Sequence, residues 1–195
     1  MKSNIPNIYF FLIFIMTLSS CNDTDEPVIE NEQEIITDVV LTFTDIAGNA
    51  ISAMAIDPDG EGFANLEVVD TIELKINTIY TLAIELENSV TNESLTSEVK
   101  NESDEHLFFF SFTEDIFSDP IGNGNMDQRE DALNYLDKDE FEFPLGLSTR
   151  WTTAGANKGK FRVVLKHQPG IKSVSSTVTD GESDVDLEWV VVISE

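Results

Sequence analysis

Two histidines, His106 and His167, are the only imidazoles in the 195 residues, and their positions point to ligand chemistry. His106 keeps step with Phe108, Phe110 and Phe112, and His167 with Phe161, Val163 and Leu165. Alternate residues of a strand share a face, so each imidazole falls on an apolar face at a strand end. If the two strands are neighbours, the rings together with Asp104 or Glu105 make a nitrogen and oxygen set suited to zinc or another divalent transition metal. The competing expectation is that each histidine is a hydrogen-bonded residue at the rim of the core. Leu107 and Phe109 make the other face of the first strand apolar too, so parity alone does not orient His106.

Asp57-Pro58-Asp59-Gly60-Glu61-Gly62 resembles the start of a calcium loop, with Asp57, Asp59 and Glu61 at positions one, three and five and glycine at six. The twelfth position falls on Val68, where a bidentate glutamate is needed, and Pro58 stiffens the turn. A plain β-turn is therefore the better expectation. Acidic turns at 137–140 and 180–184 add carboxylates that would hold calcium weakly at most. Trp151 or Trp189, if exposed, would stack on a sugar ring, but Trp189 shares the parity of Leu187 and Val191, which points to burial. There is no Gly-x-Ser-x-Gly elbow, no His-Glu-x-x-His and no phosphate-binding Gly-Lys motif. A carboxylate pair for glycoside hydrolysis has no signal beyond the abundance of acids. Binding is expected here, not catalysis.

Eleven basic residues against 37 acidic ones leave a formal net charge of −26. Such a charge repels phosphates and anionic headgroups, so nucleic acid is not an expected partner, while cations are favoured. The same charge also serves solubility on solvated faces. At the beginning of the chain, Lys2 precedes an apolar run from Ile8 to Leu18, long enough for a secretory signal and too short to span a bilayer. Leu18-Ser19-Ser20-Cys21 resembles a bacterial lipobox. The expected organisation is a signal peptide over 1–20, a linker over 21–34 that starts at a lipidated Cys21, and one domain over 35–195. The linker holds Asp23, Asp25, Glu26, Glu30, Glu32 and Glu34 with no Lys or Arg, the composition of a solvated, self-repelling tether. Two or three acyl chains on Cys21 would anchor the protein to the membrane durably. As the only cysteine, it leaves no disulfide and no thiolate metal site.

Period-two alternation dominates the domain. Val39, Leu41 and Phe43 share a face, as do Ile72, Leu74 and Ile76, then Leu82, Ile84 and Leu86, and finally Val185, Leu187, Trp189, Val191 and Ile193. Turn signals such as Ala47-Gly48-Asn49, Gly122-Asn123-Gly124 and Asp180-Gly181 separate these runs. The pattern predicts an all-β fold, an antiparallel immunoglobulin-like β-sandwich of about 7–10 strands. Helix signals are thin: 90–105 reads as a mobile loop or a short helix crossing between sheets, and 126–136 as weak helix or strand.

Several segments, among them Val69-Asp70-Thr71-Ile72-Glu73-Leu74, Asn77-Thr78-Ile79-Tyr80, Asp104-Glu105-His106, Pro144-Leu145-Gly146-Leu147, Lys166-His167-Gln168-Pro169 and Gly181-Glu182-Ser183-Asp184, resemble small acidic lipoproteins of Bacteroidota. The resemblance implies an outer-membrane or cell-surface location and a gene neighbour encoding a TonB-dependent receptor as possible partner. Some members of that group are described as type 1 periplasmic binding folds, whose two lobes of alternating strand and helix need more length and more helix than this chain has. Two functions follow as expectations. One is capture of a ligand or divalent metal ion, accessory to a TonB-dependent receptor; the other is a structural or adhesive surface module whose histidines only pack.

Overall fold

The computed structural model describes residues 35–58, 66–127 and 132–195. The expected signal, the tether and Cys21 lie outside them, as do Asp59 and Glu61. Contacts gather Gln33–Glu195 into one compact unit.

Strands form 51% of the structure and helix 4%, so the fold is all-β. One sheet holds β1 (Asp38–Asp45), β2 (Ala50–Ile56), β3 (Glu67–Val68), β5 (Ile79–Asn88), β8 (Phe117–Asp119) and β9 (Ser148–Thr153) in the order β3-β2-β1-β5-β9-β8, with β6 (Glu93–Ser94) added beside β5. The second runs β4 (Ile72–Lys75), β11 (Glu182–Ser194), β10 (Asn157–His167) and β7 (His106–Phe112). Eleven strands are thus present among the described residues, more than the sequence pattern predicts. The surplus comes from β3 and β6, each two residues long, which carry too few side chains to show a period. A second departure is that β4 pairs with β11 in parallel. No hairpin joins these strands, so β4 takes its direction from the chain's crossing out of the first sheet.

The alternation places the core. Val39, Leu41, Phe43, Leu82, Ile84 and Leu86 of one sheet face Ile72, Leu74, Phe161, Val163, Leu165 and Trp189 of the other, all buried. Trp151 fills the centre beside Phe110, Phe112, Phe117 and Phe161, with ring centroids 4.9–5.5 Å away, in the tilted and edge-on geometries aromatic pairs prefer. Both tryptophans are buried and their indole N–H groups are engaged, Trp151 with Thr149 Oγ1 at 2.7 Å and Trp189 with the Met54 carbonyl at 3.4 Å. Neither offers a stacking platform.

The doubly apolar strand β7 is explained by a second, outer layer. Phe108, Phe110 and Phe112 face the main core, whereas Leu107 and Phe109 join Val164 in a separate cluster covered by Met126, Tyr135 and Val178. Tyr135 Oη donates to the Phe108 carbonyl at 2.6 Å, and Phe108 N–H donates to the Leu145 carbonyl at 2.8 Å. Segment 133–147 is therefore stitched to the edge of β7 before it enters β9, closing that side of the sandwich. It forms isolated bridges and no helix among the described residues. The crossing from β5 to β7 does contain a helix, α1 (Thr96–Asn101), which buries Val99.

Phe110 sits where core and covering layer meet, with rings of Phe108, Tyr135, Trp151 and Phe161 within 6.4 Å. Phe110→Ala is expected to lower unfolding free energy in urea by about 3–5 kcal/mol. Phe141→Ala, at an exposed ring, should change it by about 0.5 kcal/mol or less.

Candidate metal centre

Strand pairing brings the two histidines together. In the β7–β10 ladder Phe161 stands opposite Phe112 and, six residues on, His167 opposite His106. Directly opposed residues of an antiparallel pair are close neighbours, and the two imidazoles stack at 4.6 Å between centroids with 7° between planes. They lie at the end of the sandwich where β7 begins and β10 finishes. Gly181 closes this end: its backbone packs so tightly that an added Cβ would stand 2.0 Å from the His167 carbonyl oxygen, and its φ is +74°, both conditions that favour glycine.

His106 is fully buried. Its Nδ1 lies 3.1 Å from the Glu102 carbonyl at the end of α1; a carbonyl only accepts, so the proton resides on Nδ1 and Nε2 presents a lone pair. Burial lowers its pKa to about 4 against the helping carbonyl bond, with His167 and Lys172 lowering it further. His106 is thus neutral at pH 7, the form that binds metals.

Nε2 of His106 stands 3.8 Å from Asp184 Oδ2, a carboxylate whose side chain is 2% exposed and whose Oδ2 accepts no hydrogen bond. Burial raises the Asp184 pKa to about 6, opposed by His167 and Lys166 and reinforced by Glu182. The position of this side chain follows from a bulge. Leu165 pairs with Val185 but Lys166 with Ser183, leaving Asp184 as the extra residue. Plain alternation would place it on the outer face with Asp186 and Glu188; the bulge re-aims it to the rim.

On the open side, His167 Nε2 is 3.3 Å from Glu105 Oε2, with the imidazole 14% exposed. Ligand atoms of Glu102, His106 and His167 all lie within 4.8 Å of one another. Glu102 has its pKa raised, first by burial and then by Glu98 and Glu105. Of the residues expected from sequence, His106, His167 and Glu105 come together. Asp104 is exposed and is not in the convergent group; Glu102, one helical end away, holds that place. Glu102 is visible in the sequence only as part of a weak helix signal, and Asp184 only as one acid of the 180–184 turn, because period-two counting assigns its side chain to solvent. Asp57, the described member of the calcium-like loop, is buried at the end of β2 with its N–H on the Thr37 carbonyl at 2.8 Å.

The arrangement supplies two imidazoles and up to three carboxylates. Two ligands on a tetrahedral zinc with bonds of about 2.1 Å stand about 3.4 Å apart, so the His106–Asp184 separation needs little adjustment. Imidazole donates in its ring plane, and two stacked, nearly parallel planes cannot both contain one ion. A shared ion therefore requires one ring to turn, and His167 is the partly exposed one of the pair. No family model matches the chain, and neither do curated proteins or solved structures.

In metal-free protein the two buried groups act oppositely on stability. His106, with its pKa depressed from 6.5 to about 4, binds fewer protons folded than unfolded, so it contributes stability above pH 6.5 that is lost as pH falls towards 4. Asp184, raised from 3.8 to about 6, binds more protons folded, so its contribution is lost as pH rises through that window. At about 1.4 kcal/mol per unit each amounts to about 3 kcal/mol, and the two nearly cancel. Between pH 4 and 6 these two groups together should add little net slope to the stability profile. Asp184→Asn should unmask the histidine and lose about 3 kcal/mol from pH 6.5 to 4 in urea melts with chelator present; an unchanged profile would refute the linkage.

Proposed function

We propose that the protein is a lipid-anchored binding domain that captures a divalent transition metal ion at the rim formed by His106, His167, Glu102 and Asp184. One observation carries the reading: two cross-strand imidazoles stand within 4.6 Å, with a buried carboxylate that accepts no hydrogen bond beside one of them. A buried carboxylate facing an imidazole nitrogen is a costly arrangement that a proton or a metal cation between them relieves. Imidazole nitrogens favour zinc and its first-row neighbours over calcium or magnesium. The acidic surface raises the local concentration of cations. With Cys21 lipidated, the site would be displayed at the outer membrane or cell surface, where a TonB-dependent receptor is the partner in keeping with the resemblance described above.

A second reading is favoured by the ring geometry itself. Parallel rings with a Glu105 carboxylate against His167 are compatible with histidines that only pack, as in a structural or adhesive module. Calorimetric titration of chelator-treated protein with zinc separates the two. Capture predicts one site per chain with micromolar or tighter affinity, unaffected by millimolar calcium, and abolished in His106→Ala/His167→Ala. Asp184→Asn should weaken it about 10–100-fold. Absence of binding by wild type would leave the packing role.

A further inference from the structure

Beside the histidine rim, two loops bring an amine and a carboxyl group together in a dry site. Lys172, in the loop after β10, places Nζ 2.9 Å from Oδ2 of Asp139, in the segment before β9; the two side chains are 1% and 0% exposed. Oδ2 nonetheless accepts no hydrogen bond, so the amine stands off the direction in which a carboxylate lone pair would receive a proton. We propose that Lys172 Nζ and Asp139 Cγ are joined in the folded protein by an intramolecular amide bond, formed spontaneously with loss of Oδ2 as water.

Every polar group of that amide already has its partner. Oδ1, which becomes the amide oxygen, accepts Phe141 N–H at 2.9 Å and Phe143 N–H at 2.8 Å. These two fixed donors polarise the carboxyl and hold the negative charge that develops on Oδ1 during attack, as an oxyanion hole does. Nζ donates to the Ser103 carbonyl at 2.6 Å, the bond that the amide N–H would keep. The oxygen left without a hydrogen bond is the one that departs.

The chemistry balances without a co-reactant. A proton passes within the ion pair to give neutral amine and carboxylic acid; burial, the largest cause in the net lowering of the Lys172 pKa, favours the neutral amine against the opposing pull of Asp139, Asp104 and Asp137. Nζ attacks Cγ and the N–C bond forms. The Cγ–Oδ2 bond breaks, and Oδ2 leaves with its own proton and one from nitrogen. Fixed contact between the reacting groups corresponds to effective molarities of roughly 10⁵–10⁸ M. The product also removes two buried charges whose desolvation the ion pair must otherwise offset.

The bond would join the segment that leads into β9 to the loop that leaves β10, strands of different sheets, at the end that carries the histidines. It would do the work of a disulfide in a chain with one cysteine. The assignment is independent of the metal reading.

Peptide mapping of the full-length protein tests it. Trypsin cuts after Lys138, Arg150 and Lys166 but not after an acylated Lys172. The expected product is a single species joining 139–150 to 167–195, lighter than their sum by one water, with fragmentation placing the link at Lys172 and Asp139. Lys172→Arg should give the unlinked peptides alone. Separate 139–150, 167–172 and 173–195 from natively folded wild type would overturn the proposal, as would a linked species that persists in Lys172→Arg.

Discussion

Strand β10 is hydrogen-bonded on both sides, to β7 and to β11, and its register there governs the rest of the molecule. Phe161 lies opposite both Phe112 and Trp189, Val163 opposite Phe110 and Leu187, and Leu165 opposite Phe108 and Val185. Because side chains alternate, a slip of one residue would send Lys160 and Arg162 inward and carry the phenylalanines into water. It would also part His167 from His106. Core and candidate site are therefore held by one ladder, and neither can change register without the other. On the outer face the same ladder lets Arg162 grip Asp186 through two hydrogen bonds of 2.7 and 2.6 Å, a bidentate pair that adds geometric preference to the register.

The ladder departs from regularity between Leu165 and Lys166, next to the histidines. A bulge there costs one residue of pairing and turns Asp184 inward. The same end of the sandwich holds three acids accommodated differently: half-buried Asp137 by the Gly146 and Ser148 N–H groups, buried Asp139 by two backbone N–H groups and Lys172, and Asp184 by the neighbouring His106. In a chain of net charge −26, most carboxylates reside in solvent, where they cost little. Those taken into the protein mark where charge has been arranged, and Asp139 and Asp184 stand against an amine and an imidazole.

The covering segment 133–147 joins these features mechanically. It pins Tyr135 across the backbone of β7, supplies Asp137 and Asp139, and continues into β9 of the opposite sheet. The outer apolar face of β7, which no alternation explains, is covered by Tyr135 of this segment together with Met126 and Val178.

Sequence by itself determined the faces of the long strands, the all-β class and the alignment of His106 and His167 with apolar runs, since alternation is a local property that survives without knowledge of the partner strand. It also named Glu105 through mere adjacency to His106. Only the tertiary structure decided that the two histidines oppose each other, that Glu102 and not Asp104 joins them, that Asp184 turns inward, and that Lys172 meets Asp139. Each of these rests on a bulge, a helix end or a loop packed against a residue far away in the chain. Such contacts are set by how the sheets close on one another, and a sequence period carries no record of that closure.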